Sequence, residues 1–143
     1  MIVSDLEWFI TKEGKKFLYF TTEVSPSPAE GLIMKVLKSL SVEYIREVSF
    51  THFKSPRGGY YRYDFFLPKQ NLIIEYDGAQ YHINNPNDKI KNRFCKKNKI
   101  SLIRLNSVHY YCMKDTLSNL LLNHKNTNMK SKGGKKGGKK GGC

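Results

Sequence analysis

From Ser27 onward the apolar residues Leu32, Ile33, Val36, Leu37 and Leu40 recur at spacings of three and four, the rhythm of a helix that buries one stripe. Ser27-Pro28-Ala29-Glu30 supplies its start: Ser27 as N-cap, Pro28 in the first turn and Glu30 three residues after the cap. The rhythm then changes. Val42 to Phe50 and Tyr60 to Phe66 are dense in β-branched and aromatic residues and read as strands, joined by a loop at Pro56-Arg57-Gly58-Gly59. A turn at Leu67-Pro68-Lys69-Gln70-Asn71 leads into Leu72-Ile73-Ile74-Glu75-Tyr76. That nearly unbroken apolar run predicts a strand covered on both faces, the expected centre of the sheet. Asn87 is expected to cap a helix from Asp88 to about Asn98, with Ile90 and Phe94 inward and Lys89, Lys91, Arg93, Lys96 and Lys97 around them. Ser101 to Leu105 reads as a further strand and Lys114 to Asn123 as a final helix. The first 22 residues, with Trp8, Phe9, Phe17, Tyr19 and Phe20, add a hairpin. This order describes an α/β fold, a mixed sheet flanked by helices.

A chain of 143 residues, 39% hydrophobic and 13% aromatic, is enough for one domain with a real core. The net charge of +13 points to a polyanion partner, nucleic acid or an anionic surface. Seven of the 25 Lys and Arg lie in residues 125–143, which hold no acid. The body 1–124 therefore carries 18 basic against 12 acidic groups, or +6. The tail itself, Lys130-Ser131-Lys132 and then Gly-Gly-Lys-Lys repeats, cannot bury apolar surface and reads as disordered. It fits a phosphate-binding arm, and equally a solubilising tail or an appended linker. Cys95, Cys112 and Cys143 form no CxxC pair and are odd in number, which speaks against a disulfide scaffold or zinc ribbon and for a reducing intracellular, cytoplasmic setting. No apolar run is long enough to span a bilayer, and Met1 to Glu7 lacks the pattern of a signal peptide.

The chemistry concentrates in Tyr63-Asp64-Phe65-Phe66-Leu67-Pro68, Ile73-Ile74-Glu75-Tyr76-Asp77-Gly78 and Gln80-Tyr81-His82. An acid at the end of one strand, a turn, and a buried strand ending in two further acids would bring three carboxylates together at one edge of a sheet. Such groups repel, and they coexist when a divalent cation or a protein cation neutralises them. Bland readings stand beside this one. A capping box accounts for Glu30, Asp77-Gly78 is an ordinary turn signal, Asp88 suits a helix N-terminus, and His82 fits a loop. Glu75 is harder to dismiss, because a carboxylate after Leu-Ile-Ile is costly to bury unless something pairs with it.

Together these segments resemble the PD-(D/E)XK nucleases, whose core is a helix, a β-hairpin bearing the acids, a helix and a further strand. The resemblance covers residues 27–106 and implies a restriction-endonuclease-like core within a nuclease domain at 1–124. It implies Mg²⁺ or Mn²⁺ held by Asp64 and Glu75, with the Tyr76 carbonyl, and an assisting acid at Glu30. The family's Lys, two residues after the Glu, is replaced by Asp77. The string Glu-Tyr-Asp-Gly-Ala-Gln-Tyr-His is more similar to the branch of very-short-patch-repair endonucleases and related phage homing endonucleases, which use a His shortly after the Gly turn. By that likeness His82 takes the lysine's place with Asp77 beside it, in a protein of a phage or bacterial host. Lys91 is a second candidate for a displaced cation.

The activity so implied is hydrolysis of DNA phosphodiesters, with His82 moving a proton near neutral pH. Lys91 and Arg93 are placed to hold phosphates, and Arg57 and Tyr60 form an aromatic, basic loop that suits a backbone or a base, although core packing explains tyrosines there equally well. A domain this small leaves little surface for reading a long target, so a homodimer or a partner protein is expected. Two further readings stay open: a catalytically inactive nucleic-acid-binding module of the same fold, suggested by the missing lysine, and a structure-selective nuclease of the Holliday-junction type.

Overall fold

A computed structural model describes residues 2–11, 13–78 and 86–129, with side chains to residue 124. Six strands form one sheet in the order β1-β2-β3-β4-β5-β6: β1 Glu7–Ile10, β2 Lys16–Thr21, β3 Ile45–Phe50, β4 Tyr63–Leu67, β5 Leu72–Tyr76 and β6 Ser101–Leu105. All neighbours are antiparallel except β5 and β6, which run parallel because the helix α2, Pro86–Lys97, carries the chain back between them. Helix α1, Pro28–Ser39, stands between β2 and β3. A 3-10 segment, Ser107–Cys112, leads into α3, Met113–Met129. The fold is therefore α/β, a six-stranded mixed sheet flanked by helices. Among the described residues no helix is long and apolar enough to cross a membrane.

Alternation along the inner strands builds the two layers. Phe65, Leu67, Leu72 and Ile74 pack with Ile33, Val36 and Leu37 of α1 and Leu117 of α3. Phe66 and Ile73, one residue out of phase, join Phe17, Val48 and Phe50 against Phe94 and Cys95 of α2. Leu72, Ile73 and Ile74 are wholly buried, and each such side chain contributes about 1.5–3 kcal/mol. The two-sided burial expected of β5 is thus present. Its central position is not, since β5 lies second from one edge and β3 and β4 occupy the middle. An apolar run reports coverage by helices, and all three helices here contribute to the cores over β4 and β5 or beside them.

Local signals set most boundaries. Ser27 caps α1 as a full capping box: its Oγ accepts from the Glu30 N–H at 3.2 Å, and Glu30 Oε1 accepts from the Ser27 N–H at 3.0 Å. Asn71 adopts φ +55° in the tight β4–β5 turn, a conformation Asn tolerates without great strain. The early hairpin is present as β1 and β2, closed by the Thr11 N–H to Lys15 carbonyl bond, with Gly14 at φ +89°. Helix α2 starts one residue before the expected cap, so Asn87 lies inside its first turn behind Pro86, whose fixed φ suits that place. Helix α3 begins at Met113 and continues to Met129, taking in the first five residues of the tail expected from 125.

Candidate active site

Register, more than sequence proximity, assembles the polar groups. Phe65 pairs with Ile74, which sets Asp64 opposite Glu75. Arg46 pairs with Phe65 and Val48 with Tyr63, which sets Glu47 opposite Asp64. Glu75 in turn pairs with Arg104 on β6. Four neighbouring strands therefore carry a row Glu47, Asp64, Glu75, Arg104 across the sheet. Glu47 has φ +54°, rare for a side chain of this kind and a mark of local distortion in β3. Glu30 reaches the same corner from the first turn of α1. One carboxylate oxygen each from Glu30, Glu47 and Asp64 lies within 4.8 Å of the other two.

Asp64 and Glu75 are tied to each other's strands. Glu75 Oε2 accepts the Asp64 N–H at 2.8 Å, and Asp64 Oδ2 accepts the Tyr76 N–H at 2.9 Å. The other oxygen of Glu75, Oε1, receives Lys91 Nζ at 2.7 Å, a pair whose side chains are only 13% and 6% exposed. Lys91 is fixed in turn: its ammonium sits 5.0 Å from the Tyr63 ring centroid, and its carbonyl accepts the Tyr63 hydroxyl at 3.0 Å. Arg104 bridges the far side, with Nη1 at 3.7 Å from Glu75, 2.9 Å from Asp77 and 3.5 Å from Asp88, and Nη2 at 2.9 Å from Asn92 Oδ1.

The cations are unevenly shared. Arg46 and Arg62 both lie 3.0 Å from Glu47, and Arg46 is 3.6 Å from Glu30. Burial nevertheless holds the Glu47 carboxyl above the usual range, with Arg62 opposing it. None of the ion pairs among the described residues involves Asp64. Its carboxyl is pushed up to about 7, first by burial and then by the charge of Glu75, with the Tyr76 N–H pulling the other way. A half-buried acid in this condition carries its charge readily only when a cation joins it. Three converging carboxylates are a hard oxygen donor set of the sort Mg²⁺ or Mn²⁺ takes, so the residues fit such an ion. They line one end of a cleft of about 580 Å³, whose other walls include Phe20, Thr22, Ser49, Tyr60 and Arg62.

Measured against the sequence expectations, Asp64, Glu75, Glu30 and Lys91 come together. Asp77 is bound by Arg104 in the motif's lysine position. Tyr76 offers its N–H to Asp64. Tyr60 is 40% exposed and lines the cleft, whereas Tyr61 stacks on Phe53 at 4.6 Å in the core. Arg57 and Arg93 are exposed. His82 lies outside the described residues. The sequence reading did not include Glu47, Arg46, Arg62 or Arg104. A signal existed for one of them, since Arg104 is the single charge in the apolar run 102–105. Compared with known proteins, the chain matches no protein-family model, no curated protein and no solved structure.

Proposed function

We propose that the protein is a metal-dependent DNA endonuclease with a restriction-endonuclease-like core of the PD-(D/E)XK type. The observation that carries this reading is the corner at Asp64: a carboxylate among two others and, among the described residues, without an ion-pair partner, beside a second acid already locked to a lysine. Glu30 and Asp64 would hold the divalent ion, with Glu47 joining them by giving up one of its two arginine contacts, and Glu75, engaged by the Asp64 N–H and by Lys91, shifts from ligand to positioning residue. The ion, when bound, supplies a water of lowered pKa and a charge to meet the scissile phosphate.

The chain's own groups do the rest. Glu75 fixes β4 through the Asp64 N–H, and Tyr76 fixes the Asp64 carboxylate, so the metal-facing oxygens are set before substrate arrives. Lys91 brings an ammonium to the position that Asp77 vacates in the motif, arriving from α2 instead of β5, and offers positive charge toward a phosphate. Arg104 holds Asp77 and the start of α2 against β6, which keeps Lys91 in reach of Glu75. His82, assigned from the sequence, moves the proton of the attacking water or the leaving oxygen.

The body charge of +6 and the lysine tail suit a polyanionic substrate. Incubation with supercoiled plasmid in Mg²⁺ or Mn²⁺, against a chelator control, tests the reading. Nicking or linearisation is expected, with Asp64→Asn at least about a hundredfold slower and its DNA affinity kept. A wild-type protein that binds DNA and cuts nothing in either metal would establish the inactive module instead.

A further inference from the structure

The cleft that ends at the carboxylates does not end there for lack of room. Its opposite wall is aromatic: the Tyr60 ring meets Phe20 edge-on with centroids 5.1 Å apart, and Lys54 Nζ lies 5.6 Å from the Tyr60 centroid. Phe20 and Lys54 brace Tyr60 from two directions, while 40% of the residue stays open. Thr22 and Ser49, residues 8% and 3% exposed with short hydroxyl side chains, line the same cleft. Arg62 borders it as well. Its Nε lies 3.0 Å from Glu47, its side chain is 40% exposed, and no ion pair among the described residues engages its terminal N–H groups, which suit an anion.

These parts match the parts of a nucleotide. A braced, half-open ring offers a stacking face, hydroxyls that both donate and accept suit a base edge without choosing among bases, and a guanidinium suits a phosphate. The volume of about 580 Å³ lies inside the range of ~300–1,000 Å³ typical of small-ligand sites, large for a side chain and small for a duplex. A base inside a duplex has both faces covered by its neighbours and cannot stack on Tyr60.

We propose that this cleft receives one unpaired nucleotide of a DNA strand, its base against Tyr60 and its phosphate toward Arg62 and the carboxylate corner. The substrate class is accordingly DNA with an unstacked nucleotide next to the scissile bond, as at a bulge, flap or single-stranded junction. The phosphate end of this inference rests on the nuclease reading above, and the base end does not.

The test uses the full chain and oligonucleotides carrying 2-aminopurine, whose fluorescence is quenched by stacking. One set holds the probe in a one-nucleotide bulge and the other in a matched duplex, each titrated in calcium and again in chelator, with cleavage in Mg²⁺ followed on the same strands. Wild type should quench the bulge probe and not the duplex probe. Tyr60→Ala should bind the bulge about tenfold more weakly with quenching lost, and Tyr60→Phe should restore both. Thermal unfolding of Tyr60→Ala near the wild-type midpoint confirms that the ring acts on the ligand. Equal response to bulge and duplex, or quenching that survives Tyr60→Ala, overturns the proposal even where Mg²⁺-dependent cutting is intact. Selective quenching that depends on Tyr60, with no strand cut in any metal, upholds the cleft and sinks the nuclease reading.

Discussion

Asp64→Asn is expected to make the metal-free protein more stable while abolishing cleavage. The wild-type carboxyl titrates near 7 in the folded chain, against an ordinary value of 3.8. A folded-state pKa raised in this way means that the stability linked to the group is fully present below about 3.8 and is lost as the pH rises through about 7. An upward shift of this size has a ceiling of about 4 kcal/mol at pH 8. The charges of Glu30 and Glu75 are shared with their own partners and Asp64 is not fully enclosed, so about 1–2 kcal/mol is the realistic effect. Asparagine keeps an oxygen for the Tyr76 N–H and brings no charge to the corner that Glu30 and Glu47 already occupy. Thermal unfolding in chelator should therefore show the variant about 5 °C above wild type at pH 8, with the gap closing toward pH 4. Addition of Mg²⁺ should raise the wild-type midpoint and leave the variant in place. A variant less stable than wild type at pH 8 in chelator would mean that Asp64 is a structural strand residue. Equal stabilisation of both proteins by Mg²⁺ would place the ion elsewhere.

Three further substitutions probe the supports of the corner. Lys91→Met leaves the Glu75 carboxylate with the Asp64 N–H and, among the described cations, only Arg104 at 3.7 Å, and should cost about 3 kcal/mol in urea unfolding together with the loss of nicking; unchanged stability would show that the pair contributes little. Arg104→Gln releases Asp77 and Asp88 at once, so hydrogen exchange across residues 86–97 should quicken and stability fall by about 2 kcal/mol, whereas unaltered exchange would deny it a role in seating α2. Glu30→Gln keeps a side-chain oxygen for the Ser27 N–H, and with it the cap, but removes a charge from the corner; it should leave stability within about 0.5 kcal/mol of wild type while raising the Mg²⁺ concentration needed for half-maximal nicking. An unchanged Mg²⁺ requirement would leave Glu30 as a cap alone.

How much of this was legible in the sequence depends on whether the signal is local. The Ser27 to Glu30 capping box, the Asn71 turn and the two-faced burial of Leu72 to Ile74 are written within a few residues, and each appears as expected. So does the pairing of Asp64 with Glu75, because one tight turn links their strands and leaves the register little freedom. Glu47 is different. The link from β3 to β4 runs from Thr51 to Arg62, too long for turn chemistry to set which residue of β3 faces Asp64. Arg104 depends on the parallel match of β5 and β6, fixed only once α2 has packed. Lys91 was visible as a charge on a helix, yet its aim at Glu75 comes from the hydroxyl and ring of Tyr63, which no helical periodicity reports.

The row of polar groups that crosses the sheet draws on residues as far apart as 30, 47, 64, 75, 91 and 104, contributed by four strands and two helices. No fragment of the chain holds a working subset of them. The centre comes into being only with the last long-range pairing, so it ought to appear late in refolding and vanish in a single step with the whole sheet on heating. On the proposed function, nicking would then double as a gauge of cooperative folding, and a chain cut anywhere between Glu30 and Arg104 should yield pieces that are inert until they reassociate.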